Sequence, residues 1–248
     1  MPRTMLTDQH CSKLKSILFN FGIYLKQNLR LFFEAILYRI RTGCPWRDLP
    51  EYFGKPNSVF KKFSRRSKQF KLLIIFKLIF KSTDLEWVFI DATFSRAHQH
   101  VTGIQNKAIS KSIGGNSSKI HLAVDADGNP INFIVSDGTA HDIKIVPDSV
   151  DSLDLETTEI LCADKGYNSE KLREKIVSTK TKANIPRKFN TKSDNNHMDW
   201  HLYKIRHLIE NSFCKLKHFR GIAARYDKLK GNYENAVALA CIFIWLLL

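Results

Sequence analysis

The sequence predicts a mixed α/β domain, its sheet flanked by helices on both faces, preceded by an all-helical and strongly basic head. Three observations carry that reading. Apolar residues recur at helical spacing up to about residue 84 and gather into short strand-like runs beyond it. The later strands come three in succession and then singly between helices, the order of a layered α/β domain. Charge divides at the same point: residues 1–84 hold 17 Lys+Arg against 5 Asp+Glu, whereas residues 85–248 hold 22 against 19. The expected domains are therefore 1–84 and 85–248.

In the head, residues 12–26 are weakly periodic. Asn28 to Gly43 is a clear helix, with Leu29, Phe32, Phe33, Ile36, Leu37 and Ile40 at core spacing, Asn28 as its start cap and Gly43 as its stop. Cys44 to Glu51 forms a corner limited by Pro45 and Pro50, with Trp46 expected to plug the core. Asn57 or Ser58 is expected to cap a helix in which Val59, Phe60 and Phe63 are interleaved with Lys61, Lys62, Arg65, Arg66 and Lys68, and an apolar helix over about 71–81 follows. A basic helix after a tight corner is the pattern of a helix-turn-helix module, or of a basic bundle that touches phosphates without reading sequence. Lys61, Lys62, Arg65 and Arg66 are the candidate DNA contacts of this head.

Beyond Asp84 the period changes. Glu86 to Thr93 reads as a buried strand carrying Asp91, a charge that needs a reason in such a run. His98 to Gly115 is expected to be a loop, Lys119 to Asp125 an alternating strand, Asp127 to Pro130 a turn and Ile131 to Val135 the returning strand. A helix near Asp148–Leu153 leads to a fourth strand, Glu159 to Ala163, which ends at Asp164. Ser169 caps a helix to about Ser178, and a short strand over Lys182–Ile185 stops at Pro186. A polar connection, Arg187–Asp199, leads to a helix from Leu202 to Lys217, and the chain closes on the apolar run Ala236–Leu248. That run of thirteen residues is shorter than the roughly 20 a membrane span needs, so a terminal core helix is expected and no membrane partner. This order is that of the ribonuclease-H-like fold, in which Asp91, Asp164 and a later helix can converge.

On the Leu202–Lys217 helix, Tyr203, Arg206, Glu210 and Lys217 fall within about 60° of arc, making one polar stripe beside an apolar face. A carboxylate among basic residues suits metal and phosphate chemistry, although a solvated helix with incidental ion pairs gives the same pattern. Other acidic and imidazole groups have plainer readings. Asp125 and Asp127 flank a turn, His141 and Asp142 lack a second histidine pair at metal-binding spacing, and His98 and His100 read as loop phosphate contacts. Lys165 and Tyr167 fit either DNA contact or plain surface. The net charge of +15 calls for an acidic partner, and five scattered cysteines without a Cys-x-x-Cys pair, after a start that lacks a secretory signal, suggest the cytoplasm.

Four stretches together resemble the DDE transposases of bacterial insertion sequences, in the group of insertion sequence families four and five. They are Ile90-Asp91-Ala92-Thr93, Ala163-Asp164-Lys165-Gly166-Tyr167, the series Tyr203-x2-Arg206-x3-Glu210-x6-Lys217, and the head segment Ala35 to Pro50. The resemblance implies that Asp91, Asp164 and Glu210 are catalytic ligands of Mg²⁺, with Mn²⁺ able to substitute, and that Tyr203, Arg206 and Lys217 grip DNA. It also implies double-stranded DNA partners (terminal inverted repeats and target), a homodimer or larger synaptic complex, and a nucleoid-associated protein. Two alternatives share these residues: an inactive, DNA-binding derivative and a structure-selective nuclease of the same fold.

Overall fold

The computed structural model describes residues 4–20, 28–80, 83, 85–101, 108–112, 114–188 and 194–248. Parts of the weakly periodic stretch (21–26), of the expected 98–115 loop (102–107 and 113) and of the polar connection (189–193) lie outside the described residues. The chain forms two compact units: one of Met1–Lys81, Arg96–Lys107 and Lys215–Leu248, the other of Ser82–Ser95 and Ala108–Cys214. Residues 85–248 thus contribute to both.

In the first unit α1 (Asp8–Asn20), α2 (Leu29–Thr42), α3 (Pro56–Lys68) and α4 (Lys71–Ile79) pack around α10 (Lys230–Leu246). The apolar C-terminal run is buried almost throughout, from Ala236 to Ile242 without a break, which is why it carries no amphipathic pattern. Helix α2 stops as predicted, with Gly43 left-handed and its N–H bonded to Arg39 O. Its start differs from expectation: Asn28 is itself left-handed and makes no side-chain cap bond. Helix α3 starts earlier than Asn57, because Pro56 fits the first turn, where no N–H is needed. Trp46 is half-buried rather than a plug, with the Arg39 guanidinium 4.3 Å over its ring and Phe60 and Phe63 at 5.4 Å. Arg39 also pairs with buried Asp227 at 2.9 Å. A short helix, α9 (Arg220–Ala223), leads into β7 (Ala224–Arg225), and it lies so close to α2 that a Cβ on Gly221 would meet the Ile40 backbone at 3.1 Å.

The second unit holds most of the sheet. Its strands are β1 (Trp87–Ala97), β2 (Ser110–Ser112), β3 (Gly115–Val124), β4 (Pro130–Asp137), β5 (Ile160–Ala163) and β6 (Lys182–Asn184), in the order β4-β3-β1-β5-β6, with β2 folding back on the start of β3. Strands β3 and β4 are antiparallel, whereas β1, β5 and β6 run parallel, giving the mixed α/β sheet expected of a ribonuclease-H-like domain. Val88-Phe89-Ile90 and Leu161-Cys162-Ala163 are covered on both faces, as central parallel strands require. The last residues of β1, Arg96 and Ala97, pair with β7 in the first unit.

Helix α5 (Asp142–Asp151) begins six residues before the predicted Asp148, with Pro147 inside it. Helix α6 (Glu170–Ser178) follows Ser169, which makes no side-chain cap bond. The long helix expected from Leu202 is two: α7 (Trp200–Ile205) and α8 (His207–Lys217), parted at Arg206, where Arg206 N–H bonds back to Tyr203 O at 3.2 Å in a tighter turn. No helix among the described residues is long and apolar enough to cross a membrane.

Candidate active site

Strand pairing places the two aspartates. Ile90 and Ala163 are register partners in the parallel β1–β5 pair, so Asp91, midway along β1, and Asp164, just past the carboxyl end of β5, stand at the same level. The carboxyl-terminal rim of parallel strands is where open α/β sheets assemble their sites. Asp91 is held by the Ala92 N–H, which donates to its Oδ1 at 2.8 Å.

Helices α7 and α8 bring the remaining groups. The carboxylate of Asp199 accepts from Leu202 N–H at 2.9 Å and so caps α7. Buried Asn184, on β6, fixes that cap from both sides: its Nδ2 donates to Asp199 O and its Oδ1 accepts from Asp199 N–H, each at 3.0 Å. Ser212 Oγ donates to Gly128 O in the β3–β4 turn, tying α8 to the sheet. Gly128 has φ +78°, and a Cβ there would meet Leu208 O at 3.1 Å, so this turn admits α8 only as glycine.

From these anchors Tyr203 Oη donates to Asp164 Oδ1 at 3.0 Å, and Arg206 spans two carboxylates, with Nη1 2.5 Å from Asp91 Oδ2 and Nη2 3.3 Å from Glu210 Oε1. The structure therefore joins Asp91, Asp164, Tyr203, Arg206 and Glu210 in one chain of contacts. Glu210 hangs at its solvent end, its side chain 60% exposed, whereas those of Asp91 and Arg206 are 22% and 19% exposed. Lys217 is exposed on the last turn of α8 and belongs to the first unit, as do the four basic residues of α3. Of those four, Lys61 and Arg65 are exposed, while Lys62 and Arg66 lie over the Phe32 ring at 4.7 and 4.5 Å.

Burial raises the Asp91 carboxyl above the ordinary range. The Ala92 N–H and Arg206 oppose the rise, and the neighbouring Asp164 adds to it. Tyr203 is likewise raised, by burial and then by its bond to Asp164. Burial would lower Arg206, but Asp91, Tyr203 and Asp164 outweigh it, so its charge is reinforced. An anionic pair of aspartates in a half-buried site demands a cation, and in this structure Arg206 supplies it. The donors are all oxygens, which suits a hard divalent ion. Among the described residues no three acidic, imidazole or thiol groups converge closely enough to share one ion, because the Arg206 guanidinium separates Glu210 from Asp91.

The other candidates resolve differently. Asp125 accepts from Asp127 N–H, Asn129 N–H and Asn129 Nδ2, a turn-stabilising role. Asp142 pairs with Lys119 at 2.9 Å and faces His121 Nδ1 at 3.6 Å. His98 and His100 are exposed, with ring centroids 4.4 Å apart and Tyr226 stacked beside them. Lys165 is exposed, but Tyr167 is 2% exposed and no surface residue; burial, then Asp91, Asp142 and Asp164, push its hydroxyl far up. Sequence reading missed Asn184 and Asp199; the signal for Asp199 was an acidic residue just before a helical run.

Comparison with known proteins finds related sequences over most of the chain. Residues 83–245 match the family model described as "Transposase DDE domain", and residues 6–75 match "Putative transposase of IS4/5 family". A "Putative transposase for insertion sequence element IS6501" from Brucella ovis is 38% identical over 131 residues, 52% of this chain and 98% of that protein. An "Uncharacterized protein y4sN" from Sinorhizobium fredii is 40% identical over 78 residues, 32% of this chain and 62% of that protein's length, under two thirds of it. Among solved structures, a piggyBac transposase synaptic complex with hairpin DNA aligns over 97% of this chain and 72% of that one, at 11% identity and a TM-score of 0.49.

Proposed function

This chain belongs to the family of transposase DDE domains, and from that premise we propose that it binds the terminal inverted repeats of an insertion sequence and performs metal-dependent DNA cleavage and strand transfer. The single observation that supports the chemistry best is the side-by-side placement of Asp91 and Asp164 on β1 and β5, linked through Arg206 to Glu210.

In this reading Asp91 and Asp164 hold a divalent cation and Glu210 completes its ligand set. Mg²⁺ is the proposed ion, with Mn²⁺ as a substitute; when bound, it activates an attacking oxygen and stabilises the leaving one. Arg206 neutralises the aspartates in the free protein, and its planar fork suits a DNA phosphate as well as it suits carboxylates. Tyr203 orients Asp164 through its hydroxyl. Lys217 adds a further cation on α8 for the DNA backbone.

The head, residues 1–84, is proposed to grip the transposon ends through α3, with residues 85–248 supplying the catalytic domain. Two ends must be joined, so a homodimer or larger synaptic complex is proposed, acting in the cytoplasm at the nucleoid.

The test is cleavage and joining of a labelled duplex bearing the element's own end, with Mg²⁺ or with EDTA. Parent protein is expected to nick and join only with metal, and Asp91→Asn and Glu210→Gln to lose both activities while still binding the end. End binding without any cutting by the parent would favour the inactive DNA-binding alternative, and cutting without joining the nuclease alternative.

A further inference from the structure

The Arg206 guanidinium is one planar group with a carboxylate on each arm: Nη1 lies 2.5 Å from Asp91 Oδ2 and Nη2 3.3 Å from Glu210 Oε1. These three residues and Asp164 all belong to the second unit. We propose that Arg206 caps the metal site of the free protein, and that a phosphate of bound DNA lifts the cap by taking the guanidinium, so that DNA binding precedes metal binding. The cap rests on the transposase reading above and concerns the order in which that site fills.

Space and charge both make the guanidinium a cap. Mg²⁺ needs its oxygen ligands at about 2.0–2.1 Å. A guanidinium bonded to two different carboxylates stands between them, and its charge repels a second cation drawn to the same oxygens. Asp164 is not part of this closure. Its partner is the neutral hydroxyl of Tyr203, at 3.0 Å, so a single charged side chain closes the site.

The two arms differ in strength. The arm to Glu210 is an i,i+4 pair on a mostly exposed glutamate, a contact worth little in water. The arm to Asp91 is the firm one, because both side chains are largely shielded. Breaking it with nothing in exchange would leave two shielded charges unpaired, so it opens only when another anion replaces the carboxylate. A phosphate of DNA is such an anion, since a guanidinium binds phosphate and carboxylate with the same two-pronged geometry. Arg206 stands at the join of α7 and α8, and each helix is anchored without it, α7 by Asn184 through Asp199 and α8 by Ser212. The exchange therefore needs one side chain to turn and neither helix to move.

Binding of Mn²⁺, read by electron paramagnetic resonance of the free ion, tests the cap without any cleavage. It is measured for the parent and for Arg206→Gln, each alone, with a duplex bearing the element's end, and with inorganic phosphate at the same phosphate concentration. Asp91→Asn under the same conditions gives the background, including ions that the duplex itself holds. Above that background the parent alone is expected to bind Mn²⁺ weakly, and about tenfold or more tightly once duplex is bound. Arg206→Gln alone should already show that gain, and inorganic phosphate should give the parent none. Circular dichroism checks that Arg206→Gln is folded, with Arg206→Met in its place if it is not, and the parent's own comparison with and without duplex depends on neither. Asp91-dependent binding that is equally tight in the parent with and without duplex overturns the cap and leaves the metal site standing. A gain with duplex in the parent but none in the folded variant alone also overturns it, because the duplex then acts through another group. A gain from inorganic phosphate overturns the assignment to DNA. A parent that binds no duplex, or that shows no Asp91-dependent Mn²⁺ under any condition, overturns the transposase reading and the cap together.

Discussion

Arg206 is the residue on which the site turns. It gives its guanidinium to Asp91 and to Glu210 at once, so in the free protein it stands between two of the carboxylates proposed to hold a divalent cation. The Asp91 carboxyl is raised by burial in spite of it. Because the ionised form is the one the fold disfavours, this group stabilises the fold most below the ordinary aspartate range near 3.9, and that contribution fades as pH rises toward its raised value. Carboxyl NMR of the metal-free protein should show Asp91 titrating above that range, and higher again in Arg206→Gln; titration at or below the ordinary value would contradict the burial argument. His121 has the opposite sign. Sealed in the sheet with Ser136 Oγ 2.8 Å from its Nε2, it is pushed down to about 4 by burial, with Asp142 opposing. An unfolded chain takes up that proton near 6.5, so stability should fall by roughly 3 kcal/mol between pH 6.5 and 4 and no further below. Urea midpoints across this window should show a steeper fall for the parent than for His121→Leu.

At the scale of elements, close approach decides more than propensity. Helices α2 and α9 touch at Gly221, where a side chain would press on the Ile40 backbone. Gly221→Val should cost about 1–3 kcal/mol, read as a lowered thermal midpoint without loss of helix content. A neutral outcome would mean that α9 shifts freely on α2. The break between α7 and α8 has the same character. The polar stripe of Tyr203, Arg206 and Glu210 survives it, because one tightened turn at Arg206 moves these side chains little around the axis, while Asn184 and Ser212 anchor each helix separately. Periodicity in the sequence marked the stripe but not the break, since no proline or glycine stands at Arg206 to signal one.

For the whole molecule, a net charge of +15 would make the proposed affinity for DNA a salt-dependent quantity. On α3 Lys61 and Arg65, the proposed phosphate contacts, are exposed, whereas Lys62 and Arg66 are packed over Phe32, and burial lowers the pKa of both. Lys61→Gln with Arg65→Gln should flatten the slope of log affinity against log salt by about 0.9 for each phosphate they neutralise, without changing stability. Lys62→Ala and Arg66→Ala should lower the thermal midpoint as well, because they uncover the Phe32 ring. An equal effect of all four on binding alone would show that packing over the ring contributes nothing.

What the sequence determined by itself was local. The runs around Asp91 and Asp164 are apolar enough to be central strands only, and a carboxylate at the end of each had no core reason to be there. The stripe from Tyr203 to Glu210 followed from helical spacing, and the signature residues around it carried the family. The tertiary structure decided what depends on neighbours distant in the chain. It set Asp91 level with Asp164 through strand register, joined Glu210 to them by way of Arg206, and turned two of the four basic residues of α3 onto Phe32. It also drew residues 215–248 into one unit with the helical head, since α10, apolar on every side, is buried only where several helices surround it.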